Sequence, residues 1–155
     1  MHDQILVVEP DRSVGAFLYE VLSERGLSPL VCSRIADGCR VLGSTPVAGV
    51  IVNLWLAHER NDDAPLIGLL DIVTARKLPV IAISTDARPL QARLTDGATL
   101  TLYPITMPFD LDNFLRAMSR MTALSRPGCF PEPPSEAKPS PRPTCNANRL
   151  GEVVR

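Results

Sequence analysis

Glu9, Asp11, Asn53 and Ser84 are the polar side chains that stand at or just beyond short apolar runs (residues 5–8, 50–54 and 79–84), where a fold would gather them. A carboxylate pair such as Glu9 and Asp11 could hold a hard cation, which favours oxygen ligands. Asp11 is equally suited to accept backbone N–H groups at a helix start. A hydroxyl at Ser84 could hydrogen-bond an anion. Asn53 offers a neutral carboxamide with a delocalised nitrogen lone pair, so it is no nucleophile. The remaining reactive residue types form no recognisable set. The two histidines, His2 and His58, fall in a terminus and a polar loop, so no Ser/His/Asp or Cys/His arrangement emerges. The four cysteines (Cys32, Cys39, Cys129, Cys145) make no CxxC pair, which argues against zinc and for reduced thiols, with Cys32 and Cys39 as small apolar fillers. Glu9-Pro10-Asp11-Arg12 follows the first apolar run where a phosphate-cradling glycine loop would have to stand, which disfavours nucleotide binding.

These residues are positioned by alternating strand and helix signals. Continuous apolar runs at 5–8, 29–32, 50–54, 79–84 and 99–102 predict five strands buried on both faces. Between them, helical spacing predicts helices over 14–25, 35–42, 65–77 and 90–95, with a last one over 111–124. Phe17, Leu18, Val21 and Leu22 share one stripe of the first helix; Phe114, Leu115, Met118 and Met121 share one of the last. Asp11 or Ser13 would cap the first helix and Gly26 would stop it. Pro65 would open the third. The expected fold is α/β, a doubly wound parallel sheet of five strands in the order 2-1-3-4-5. Sites in such sheets lie beyond the C-terminal strand ends, where Glu9-Pro10-Asp11, Asn53, Ser84 and segment 105–109 are found.

Composition narrows the function classes. The chain has 155 residues, 45% hydrophobic and 21% charged, as expected of one globular domain with an appendage. Residues 1–124 carry eleven basic and fourteen acidic residues, and residues 125–155 carry five and three. Seven of the fifteen prolines lie in that last segment, which predicts a disordered, partly polyproline-like tail after a domain spanning 1–124. A net charge of −1 and no aromatic-basic stripe argue against nucleic-acid binding. The longest apolar runs fall well short of a membrane span, and the first is four residues long without a cationic leader, so a cytoplasmic location is expected.

The order and spacing of five landmarks (Ile-Leu-Val-Val-Glu at 5–9, Val-Ile-Val-Asn-Leu at 50–54, Val-Ile-Ala-Ile-Ser at 80–84, Asp-Gly-Ala at 96–98, Met-Pro-Phe-Asp-Leu at 107–111) resemble the response-regulator receiver family over residues 4–124. The resemblance implies an acidic pair after the first strand that helps hold magnesium and a phosphoacceptor aspartate ending the third. It also implies a hydroxyl after the fourth strand and a Lys before Pro after the fifth. In this chain Glu9 keeps the first acidic position, Pro10 takes the second, Asn53 replaces the acceptor and Met107 replaces the Lys; Ser84 fits. The chain is also longer than usual between Gly97 and Met107, which puts the family's aromatic switch position near Pro104, with Tyr103 one step off.

The losses are mutually consistent. Breaking one member of a buried ion pair costs about 3–5 kcal/mol, whereas exchanging both partners for neutral groups removes that penalty. The expected function is therefore that of a degenerate receiver: no enzyme, no cofactor, a magnesium site lost or weak, and a phosphorylation-independent interaction module in a two-component phosphorelay. The resemblance implies a protein partner (a histidine kinase, another regulator or an effector) or a homodimer through the fourth helix, fifth strand and fifth helix. Contacts expected there are Arg88, Gln91, Tyr103, Arg116 and Arg120. The competing expectations are a receiver with a displaced acidic acceptor, Asp11, and a flavodoxin-like small-ligand-binding protein.

Overall fold

A computed structural model describes residues 3–54, 63–85 and 100–125. Along the chain run β1 (Gln4–Val8), α1 (Arg12–Glu24), β2 (Ser28–Cys32), α2 (Ile35–Ser44), β3 (Gly49–Asn53), α3 (Asp63–Ala75), β4 (Val80–Ser84), β5 (Leu102–Thr106) and α4 (Leu111–Ser125), the helices being numbered among the described residues. The strands form one parallel sheet in the order β2-β1-β3-β4-β5. The expected helix over 90–95, the loop around His58 and the segment beyond residue 125 lie outside the described residues.

Two apolar clusters clamp the sheet, and strand alternation sorts residues between them. Leu6, Val8, Val50, Val52, Val80 and Ala82 face Leu42, Leu69 and Val73 of α2 and α3. Ile5, Val7, Ile51, Ile81 and Ile83 face Leu18 and Leu22 of α1 and Phe114, Met118 and Met121 of α4. Each such side chain, buried completely, contributes roughly 1.5–3 kcal/mol, so burial on two faces outweighs local propensity in forming these strands. Gly38 lets α2 approach β1: a Cβ there would stand 2.8 Å from Val8 Cγ2.

Helix ends follow local chemistry. Asp11, not Ser13, caps α1, its side chain accepting from the N–H groups of Ser13 (2.7 Å) and Val14 (3.2 Å). At the other end Gly26, at φ +75°, donates to Ser23 O while Leu27 N–H donates to Leu22 O, a Schellman closure. The end of α3 closes in the same way, with Lys77 N–H to Thr74 O and Leu78 N–H to Val73 O, but its left-handed residue is Lys77 at φ +53°.

Four expectations are corrected. Phe17 is 42% exposed, because α1 buries Leu18 and Leu22 directly and turns Phe17 to its flank. The second helix, expected over 35–42, continues through Gly43 to Ser44. Pro65 sits in the first turn of α3 but two residues after its start. The fifth strand covers Leu102–Thr106, not 99–102. The register explains that shift. Val80 N–H donates to Thr101 O and Met107 N–H to Ser84 O, so odd-numbered residues of β5 point their backbone groups at β4. Pro104 is on the opposite phase, and its missing N–H removes nothing from the ladder.

Candidate functional site

The C-terminal ends of β1, β3, β4 and β5 bring Glu9, Asn53, Ser84 and Met107 to one rim. Register does the positioning: Val8 pairs with Val52, so the next residues, Glu9 and Asn53, stand level on neighbouring strands. Glu9, Asn53 and Ser84 are buried, at 3%, 6% and 3% exposure. Asn53 Nδ2 donates to Glu9 Oε2 at 2.9 Å, and Asp11 N–H donates to Glu9 Oε1 at 3.0 Å. Both carboxylate oxygens thus have an N–H donor.

The other rim residues are equally committed. Asp11 is exposed, and its Oδ1 is spent on the start of α1. Pro10 brings no side-chain ligand atom. Met107, after β5, packs as a partly buried thioether against the α1 and α4 side of the core, while its N–H donates to Ser84 O at 2.8 Å. The Met107–Pro108 peptide is cis. The rim therefore presents one carboxylate tied to an amide, a buried serine and a thioether, with no described cationic side chain among these residues. Among the described residues, neither the acceptor aspartate nor the lysine that the resemblance implies is present at this rim.

The partner-contact candidates separate. Tyr103, Arg116 and Arg120 line a groove of about 500 Å³ between β5 and α4. Arg88 and Gln91 lie outside the described residues. Phe109, which the sequence placed in the rim segment 105–109 but not among the partner contacts, and Asn113, which it did not single out, line the same groove. Phe109 stacks on Phe114 with ring centroids 5.7 Å apart, and Asp110 caps α4 by accepting from Asp112 N–H at 3.1 Å. The signal for Asn113 was its place one turn before Arg116; that for Phe109 was an aromatic directly before a capping aspartate.

Burial pushes the thiols of Cys32 and Cys39 up from their ordinary range; Asp37 adds to the effect at Cys32 and Arg40 opposes it. Both pack against the α2 and α3 side of the core, and Cys39 Sγ donates to Pro65 O at 3.6 Å. Their environment is that of small apolar fillers.

No protein-family model matches the sequence, and no curated protein matches it. Solved structures do. The signal receiver domain of an HD domain-containing protein from Pseudomonas fluorescens Pf-5 is 20% identical with a TM-score of 0.66, covering 81% of this chain and 98% of that one. The non-phosphorylated HemR receiver domain from Leptospira biflexa is 24% identical with a TM-score of 0.64, over 81% and 98%. The receiver domain of a sensor histidine kinase from Pseudomonas aeruginosa PAO1, solved with magnesium coordinated in its active-site cleft, is 15% identical with a TM-score of 0.60, over 78% and 98%. The chain has the receiver fold.

Proposed function

We propose that this receiver-fold chain is a two-component signalling module that works by protein docking and not by accepting a phosphoryl group. The observation that carries the proposal is the buried hydrogen bond from Asn53 to Glu9, at the position where the resemblance would place a phosphoacceptor. An amide there supplies no nucleophilic oxygen anion, and Met107 supplies no charge to hold the transferred group. Magnesium does not fit this donor set. A cation would need several oxygen ligands in near-octahedral array, while Glu9 already accepts two N–H donors and Asn53 turns its nitrogen inward. A displaced acceptor at Asp11 would have to share its carboxylate with the cap of α1, which Oδ1 forms and which is worth about 1 kcal/mol. The chain then serves as no enzyme; its output is the face it shows to a histidine kinase, another regulator or an effector, or to a second copy of itself. Tyr103, Arg116 and Arg120 are the described contacts on that face, with Arg88 and Gln91 as further candidates.

The test is incubation of the full chain with acetyl phosphate and magnesium, followed by intact mass measurement. The expected result is an unchanged mass. A stoichiometric phosphoryl adduct on any side chain would overturn the proposal.

A further inference from the structure

We propose that the chain's own segment after α4 closes a pocket at the N-terminal end of the sheet, with Phe130 filling it and Glu132 pairing with Lys77. The pocket, of about 360 Å³, lies at the end of the sheet opposite the rim and is lined by Val47, Ala48, Leu78, Pro79 and Leu124 together with Lys77. Its wall calls for an apolar occupant. The main chain around it is already paired: Ala48 N–H donates to Gln4 O, Val50 N–H to Pro79 O, Leu78 N–H to Val73 O and Val80 N–H to Thr101 O. Leu124, in the last turn of α4, is left 58% exposed at the pocket's edge. One charge stands beside this apolar wall. Lys77 is exposed, no carboxylate is among the described lining residues, and Lys77 makes no ion pair among the described residues.

The sequence supplies the occupant. Helix α4 ends at Ser125, one residue past Leu124, so the chain leaves from the edge of the pocket. Pro127-Gly128 follows, the pair suited to the two central positions of a type II turn, which reverses the chain. Such a turn brings Arg126 and Cys129 within about 7 Å of each other, and Phe130 comes next. Phe130 is the one aromatic residue after position 125, and an aromatic side chain buries about 150–250 Å². Pro131 holds Phe130 to extended backbone, in which side chains two apart share a side. A Phe130 ring facing the pocket therefore puts Glu132 on the side of Lys77. Only residues 125–129 separate Leu124 from Phe130, and so short a tether gives the ring an effective concentration of roughly millimolar order, which favours this segment over one from a second copy. The proposal is independent of the chemistry of the rim.

The test is nuclear Overhauser spectroscopy on the full chain, with Phe rings and Leu and Val methyl groups protonated in a deuterated background. Cross-peaks are expected from the Phe130 ring to the methyl groups of Val47, Leu78 and Leu124, assigned by their loss in Phe130→Ala. Leu124→Gln, at an exposed site, is expected to abolish the contacts to Val47 and Leu78 while leaving the far-ultraviolet spectrum unchanged. Lys77→Glu is expected to weaken the cross-peaks about twofold, and its combination with Glu132→Lys to restore them. Cross-peaks indifferent to both charge changes would overturn the pairing of Glu132 with Lys77. Absence of any cross-peak from Phe130 to the pocket would overturn the whole proposal. Cross-peaks seen only between differently labelled copies would overturn it too, by making the occupant a second chain.

Discussion

A carboxylate taken out of water must find donors, and Glu9 finds one in the side chain of Asn53 and another in the backbone of Asp11. Removing the first, in Asn53→Ala, leaves Oε2 buried without that donor and is expected to cost about 1–3 kcal/mol in urea unfolding. Asn53→Asp is the harsher change, although it alters almost no volume, because it sets two carboxylates side by side away from water. It is expected to cost about 3–5 kcal/mol at neutral pH. Repulsion and burial raise the folded-state pKa of that carboxylate pair above its unfolded value. The penalty is then absent below the ordinary carboxylate range, grows as pH rises through it, and levels off above the raised value. Urea midpoints taken at acid and neutral pH check both size and sign; an Asn53→Asp protein as stable as the parent at neutral pH would contradict the account. The sequence allowed Asn53 to be read as a neutral exchange for an acid, because residue type alone carries that. It did not show the bond to Glu9, which depends on the register of β1 against β3.

Among the elements, the strands that were easiest to read are those buried on both faces: β1, β3 and β4 are short apolar runs, and the structure places them within a residue of the expected bounds. The fifth strand was misplaced because Pro104 reads as a strand breaker, and only an outer strand with the proline on its outward phase escapes that rule. The opposite edge repeats the device. Ser28 N–H donates to Asp3 O and Glu9 N–H to Cys32 O, so even residues of β2 face β1 and Pro29 faces out. Both outer strands thus lack a donor at an outward position, which discourages edge-to-edge pairing. The variants Pro29→Val and Pro104→Val are expected to keep the fold yet self-associate at concentrations where the parent is monodisperse by sedimentation; unchanged sedimentation would show that the prolines do not guard the edges. Helix ends teach a related lesson. The closure after α1 was legible from Gly26, whereas the identical closure after α3 was hidden because Lys77 occupies the left-handed position. A side chain there costs about 1–2 kcal/mol, part of which glycine returns as lost chain entropy. Lys77→Gly is therefore expected to stabilise the protein by about 0.5–1 kcal/mol, seen as a higher urea midpoint at constant slope.

At the scale of the whole molecule, the sheet is fixed by two apolar clusters, and the fully buried polar residues among those described, Glu9, Asn53 and Ser84, all stand at the rim, so the fold does not need the rim's chemistry to be intact. That separation explains how a chain can hold the receiver architecture while its rim carries an amide, a proline and a thioether. It also makes the state of the rim readable from global stability. A ligand that binds only the folded protein raises unfolding free energy by RT ln(1 + [L]/Kd), about 2.7 kcal/mol when the ligand is at a hundred times its Kd. A pocket able to hold magnesium in the micromolar-to-millimolar range would therefore lift the melting temperature by several degrees as the ion is titrated into that range. For this chain the expected melting temperature is the same in magnesium, in calcium and in a chelator at matched ionic strength. The Asn53→Asp protein, with two facing carboxylates to relieve, is expected to regain part of its lost stability when magnesium is added. The phosphoryl test gives the complementary result: with Pro10 and Met107 unchanged, that same variant is expected to take little or no label from acetyl phosphate. A parent protein that melts progressively higher with magnesium, at constant ionic strength, would mean that the Glu9–Asn53 bond opens to admit a cation.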